Sequence, residues 1–126
     1  MDRLSPDDHI LRPVETLDRA RTFLRDRLGL TELLSRPGLA CFDMAGVRLI
    51  LRETGRREAA DTLYFGVADI FAACESLTAH GVHFPEPPHL AERRPDGSEV
   101  WVAFFTDDEA RPLALHAVMA PKGRLH

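Results

Sequence analysis

Lysine is nearly absent: Lys122 is the only one, and the other basic residues are arginines. The arginines are interspersed among acids, and 16 bases against 20 acids leave a net charge of −4. That pattern lacks the basic stripe a nucleic-acid partner would need. The arginine bias is read as genomic, a mark of a GC-rich bacterium. No apolar run approaches the ~20 residues that span a bilayer, so no membrane partner is expected. The N-terminus, MDRLSPDDH, has no apolar leader region, and the expected location is the cytoplasm. Cysteine is scarce: Cys41 and Cys74 sit inside apolar patterns with no CxxC spacing, and both are read as reduced, buried small hydrophobes. No Gly-x-Ser-x-Gly is present, nor a Cys–His pairing that periodicity supports. What remains, 44% apolar and 29% charged residues in 126, describes an ordinary single globular domain, 1–126.

Within that length the chain says nearly the same thing twice. Residues 10–14 read as a strand, limited by Pro13 to an edge or a strand end. Thr16 is a candidate N-cap, and Leu17, Ala20, Leu24 and Leu28 then share one helical face, closed by Gly29. Two apolar runs, 39–42 and 47–52, flank Asp43-Met44-Ala45-Gly46, a hairpin signature. Residues 54–61 are polar and aperiodic, a linker. A second strand starts at Thr62, Asp69 caps, and Ile70, Ala73, Cys74 and Leu77 repeat the helical face up to Gly81. Residues 82–84 read as a short strand, 85–97 as a proline-rich loop, and 100–106 with 113–118 as a last hairpin turning through 107–111. From residue 119 onward the chain reads as a loose tail.

An offset of 53 aligns Val14 with Val67, Thr16 with Asp69, Leu17 with Ile70, Ala20 with Ala73 and Leu24 with Leu77. An offset of 64 aligns Leu49-Ile50-Leu51 with Leu113-Ala114-Leu115. The expectation is an α+β fold of two tandem βαβββ modules, about 8–53 and 62–118. Their curved mixed sheet would form a cup with the helices outside.

The segments HILRPVETLDRARTFLRDRLGL, YFGVADIFAACESLTAHGVHF and AFFTDDEARPLAL, in that order, resemble the vicinal oxygen chelate superfamily. That superfamily holds glyoxalase I, extradiol dioxygenases, fosfomycin-resistance enzymes and bleomycin-binding proteins. The resemblance covers about residues 8–118. It departs at Thr16, where the family usually has Asp, and at Asp107-Asp108-Glu109-Ala110, where Asp-Pro-Asp-Gly is usual.

In metal-using members four cavity positions carry His, Gln or Glu, and the resemblance places them at His9, Ile50, Thr62 and Ala114. Only His9 is a good ligand, whereas catalytic metal sites normally hold three protein ligands. No cofactor is therefore expected. The alternative is a divalent metal (Zn, Fe, Mn or Ni) on a shifted set of His9, Glu53 and His116. Glu53 falls on the opposite strand face from Ile50 unless a bulge re-aims it.

By strand parity the cup would be lined by His9, Arg48, Ile50, Arg52, Thr62, Tyr64, Ala114 and His116. Either Trp101, Ala103 and Phe105 or Val100, Val102 and Phe104 would join them; Trp101 is carried as a pocket candidate for stacking on a planar ligand. The bland alternative makes the aromatics core and the arginines solvated. His80, His83 and His89 are read as exposed, and His126 as disordered.

Three functions follow: a metal-free protein binding an aromatic, cationic or anionic small molecule, a metal-dependent lyase, isomerase or dioxygenase, or a metal-free enzyme with His9 as general base. The family resemblance also implies a homodimer.

Overall fold

A parallel strand pair opens each sheet. In the first, β1 (His9–Val14) lies beside β4 (Val47–Glu53), with Leu11 opposite Ile50. In the second, β5 (Leu63–Gly66) lies beside β8 (Pro112–Met119), with Tyr64 opposite Ala114. Tyr64 follows Leu11 by 53 residues and Ala114 follows Ile50 by 64, so the pairing register repeats both sequence offsets. This computed structural model describes residues 9–120, and the chain divides into two compact units, Met1–Ala60 and Asp61–His126. Each is one βαβββ module. The expected tail lies outside the described residues from 121, as do Lys122 and His126; Met119 ends β8.

In the first unit β2 (Thr31–Arg36) and β3 (Leu39–Met44) complete a sheet of order β1-β4-β3-β2. Ala45 and Gly46, both at positive φ (51° and 93°), close the expected β3–β4 hairpin with the twist a two-residue turn requires. The strand β2 has no apolar alternation to announce it. It is an edge strand with Leu33 and Leu34 exposed, and it shifts register between Glu32 and Leu34. Helix α1 (Leu17–Thr22) widens into a π-helical turn over Phe23–Arg27, where the Leu28 amide donates to the Phe23 carbonyl at 3.2 Å. The wider turn re-phases the helix. Phe23 therefore joins Leu17, Ala20 and Leu24 in the buried stripe, while Leu28 is only partly covered. That stripe packs on Ala40, Phe42, Leu49 and Leu51, all at 1% exposure or less. Each large apolar side chain so buried contributes about 1.5–3 kcal/mol.

The second sheet has the order β5-β8-β7-β6, with β6 at His89–Arg93 and β7 at Glu99–Thr106. Helix α2 (Ile70–Ala79) starts at Asp69, whose carboxylate accepts from the Phe71 and Ala72 amides at 3.0 and 3.2 Å. That is the cap the sequence leads one to expect. Two expectations fail. Residues 82–84 form no strand. Instead the Val82 amide donates to the Leu77 carbonyl at 3.0 Å, and Val82 is buried as the plug of the helix C-terminus after Gly81. The stretch 85–97 is not loop throughout, because β6 runs through it as an exposed edge strand. The closing turn is held by Asp107, whose Oδ1 accepts from the Glu109 and Arg111 amides and whose Oδ2 accepts from Arg111 Nε, each at 2.8 Å. One buried carboxylate thus replaces the dihedral constraints that Pro and Gly would supply.

Candidate functional site

Each sheet has one face under its helix and one free of it. In the first unit the helix-free face reads in three cross-strand rows. They are His9–Arg48–Asp43–Thr31, Leu11–Ile50–Cys41–Leu34 and Pro13–Arg52–Leu39–Arg36. The middle row is apolar and the outer rows carry the charges. Arg48 and Arg52 are exposed and Ile50 is half-buried, so all three sit on the expected face with His9. Arg12 points the other way and is buried on the helix side. Cys41 lies on the helix-free face yet is buried.

The carboxylate of the shifted metal set is committed elsewhere. Strand β4 keeps regular register with both neighbours, with no bulge to re-aim Glu53. Glu53 Oε2 accepts from the Leu17 amide at 2.8 Å and caps α1 from the helix side of the sheet. This bond replaces the Thr16 cap expected from the sequence; Thr16 has the extended backbone of an N-cap but makes no side-chain bond. Among the described residues no three His, Cys, Asp or Glu side chains gather in a metal-binding arrangement. Ile50 and Ala114 carry no donor atom. The residues present do not fit a metal, either at the family positions or at the shifted set of His9, Glu53 and His116.

The second unit's helix-free face is aromatic. Its rows are Gly66–His116–Val102–His89 and Tyr64–Ala114–Phe104. Tyr64 and Phe104 meet edge to face at 6.2 Å over Ala114, which they leave fully buried. Tyr64 also meets His116 at 6.3 Å, and His89 stacks on Phe104 at 6.1 Å and 27°. Tyr64 and Phe104 nevertheless stay 52% and 42% exposed, so this is a platform and not a packed core. Beside it a recess of about 250 Å³ is lined by Pro85, Glu86, Pro87, His89 and Phe104. Thr62 precedes β5 and is half-buried.

Parity settles the choice that the sequence left open on β7: Val100, Val102 and Phe104 take the helix-free face. Trp101 leaves the candidate site. It lies on the helix side, 5.4 Å from the ring of Phe71, with its Nε1 donating to Glu99 at 3.1 Å. Phe104 and His89 are the residues that sequence reasoning undervalued. No periodicity marks His89, because its strand is an edge strand with every residue exposed. His80 ends α2, where its Nδ1 bonds to the Ser76 carbonyl oxygen at 2.9 Å, a helix-end contact.

Comparison with known proteins agrees with this architecture. A solved glyoxalase/bleomycin resistance protein/dioxygenase from Alicyclobacillus acidocaldarius superposes with a TM-score of 0.69 at 21% identity, over 90% of this chain and 93% of that one. A superfamily member from Sphaerobacter thermophilus gives 0.71 at 20% identity, over 90% and 98%. A lactoylglutathione lyase from Agrobacterium tumefaciens gives 0.67 at 20% identity, over 92% and 96%. At such identities the likeness is one of fold. No curated protein matches the sequence. Residues 8–109 match the sequence family described as Glyoxalase/Bleomycin resistance protein/Dioxygenase superfamily. The chain belongs to that superfamily.

Proposed function

We propose that this chain is a metal-free small-molecule binding protein whose ligand stacks an aromatic ring on the helix-free face of the second sheet. The observation that carries the reading is the exposed Tyr64–Phe104–His89 platform built over a methyl group, Ala114, where a metal ligand would stand in the family's metal users. Aromatic faces held at fixed geometry bind planar or cationic groups through stacking and quadrupole attraction. The adjoining recess, at about 250 Å³, is the size of one small ring system rather than of a large ligand.

A metal-dependent lyase, isomerase or dioxygenase is the weaker reading, because the carboxylate of its shifted set caps a helix. The test is a thermal-shift screen of planar aromatic acids, amines and neutral rings, repeated on Phe104→Ala, with elemental metal analysis of the untagged protein. Saturable stabilisation lost in Phe104→Ala supports the reading. Near-stoichiometric metal lost in His9→Ala would replace it with the enzyme. The working form in this proposal is a homodimer, supported by the exposed β2 edge with Leu33 and Leu34. Light scattering at twice the 14.1 kDa chain mass would bear that out, and a monomer would refute it.

A further inference from the structure

Several described arginines of the first unit are answered by acids. Arg21 forks onto Glu32 at 2.7 and 3.1 Å, Arg25 meets Asp26 at 3.0 Å, and Arg19 meets Glu15 at 3.3 Å. The helix-free face breaks this pattern. Among the described residues no ion pair joins Arg36, Arg48 or Arg52 to an acid. Arg48 at least has Asp43 directly opposite in the ladder, although the Asp43 Oδ1 already accepts from the Gly46 amide at 3.0 Å. The row Pro13–Arg52–Leu39–Arg36 contains no acid at all. Arg36 and Arg52 flank Leu39 in that row, their Cα atoms about 10 Å apart across two strand spacings. One row further on lies the apolar strip of Leu34, Cys41 and Ile50.

With no acid in their row, Arg36 and Arg52 leave this end of the face with an excess of positive charge. The charge that would answer it is an anion over Leu39, and the planar donor fork of arginine matches a carboxylate. We propose that Arg36 and Arg52 form a carboxylate-binding clamp, with the ligand's aliphatic body lying over Leu39 and along Leu34 and Ile50. The inference rests on the small-molecule reading above but uses a different sheet and different residues. It gives the first sheet a ligand class of its own, a carboxylate on an apolar chain.

The experiment is amide and arginine Nε NMR on the full chain, titrated with sodium hexanoate, with hexan-1-ol as the neutral counterpart and sodium acetate as the charge without the body. Hexanoate is expected to shift Leu39, Ile50 and the Nε resonances of Arg36 and Arg52, with affinity falling as salt rises. Hexan-1-ol should bind at least about tenfold more weakly, the scale of losing one charge-assisted hydrogen-bonded contact, and acetate at least about tenfold more weakly because it lacks the methylenes that lie on the apolar strip. Arg36→Gln and Arg52→Gln should each lose about tenfold, Arg52→Lys should recover only part, and Arg94→Gln on the second unit should bind as the parent does. Equal binding of hexan-1-ol, unchanged affinity in both glutamine variants, no binding of hexanoate, or shifts confined to the second sheet would each overturn the clamp. Shifts at these arginines that follow protein concentration rather than hexanoate would also overturn it, and assign the face to a second copy of the chain. Phe104→Ala keeps the tests separate: it should weaken aromatic binding about tenfold and leave hexanoate binding intact.

Discussion

Glu53 and Leu17, 36 residues apart, are joined by a 2.8 Å bond from the Leu17 amide to the Glu53 carboxylate. The last residue of β4 therefore caps the first helix, placing a negative charge at the positive end of its dipole. Glu53→Ala should cost about 1 kcal/mol of stability, the usual loss for a removed N-cap, measured by urea unfolding. The same variant should have the metal content of the parent. A drop in bound metal would show that Glu53 is a ligand after all.

Phe104 and Phe105 are neighbours on β7 that face opposite ways, at 42% and 1% exposure. Phe105→Ala opens a cavity among Phe65, Phe84 and Leu113 and should cost about 3–5 kcal/mol. Phe104→Ala should cost far less in stability but weaken an aromatic ligand about tenfold, as loss of a stacked ring does. A Phe104→Ala protein that melts as low as Phe105→Ala would mean that the platform is core.

Gly66 allows His116 to lie close against β5: a Cβ at residue 66 would stand 3.3 Å from the imidazole Nε2. Gly66→Ala should therefore shift the ring rather than unfold the sheet, since a side-chain tip can yield where backbone cannot. The expected readout is a changed His116 ring resonance with a melting temperature within a few degrees of the parent. An unaltered ring resonance would show that the imidazole does not occupy this position in solution.

The Arg21 fork on Glu32 holds that carboxyl below the ordinary glutamate range, with Arg25 adding to the effect. A depressed folded-state value means the stabilisation is present above the unfolded value and is lost as pH falls through the folded one. Glu32→Gln should thus be less stable than the parent at pH 7, with the gap closing in acid. Urea midpoints at the two ends of that range decide it, and a gap that persists in acid would show that the contribution is not ionic.

Cys74 is half-buried rather than buried as its apolar pattern suggests, and that partial burial still pushes its thiol up. Iodoacetamide should therefore modify it more slowly than a free thiol at pH 8, catching up only in denaturant. Fast labelling in the native state would mean that α2 opens on the timescale of the reaction.

The repeated module was legible because it rests on local chemistry. Asp69 caps α2 as read, and the 53- and 64-residue offsets reappear as Leu11 opposite Ile50 and Tyr64 opposite Ala114. Short edge strands were not legible: β2 and β6 bury almost nothing, so no alternation marks them. The 82–84 run was misread because Val82 is buried by a helix end, a state that looks in sequence like a strand.

By itself the sequence determined the repeat of the two βαβββ modules, the apolar start of each helix and the parity of β1, β4, β5 and β8, since those depend on period and spacing along the chain. Only the tertiary structure decided which face of β7 is free, moving Trp101 under α2 and Phe104 onto the platform. It also decided that Glu53 caps a helix, and that Arg36 and Arg52 share a row. The physical reason is the same in each case. Which face is free, which distant amide takes a carboxylate and which residues stand opposite across strands are fixed by pairing register and packing between segments far apart in the chain.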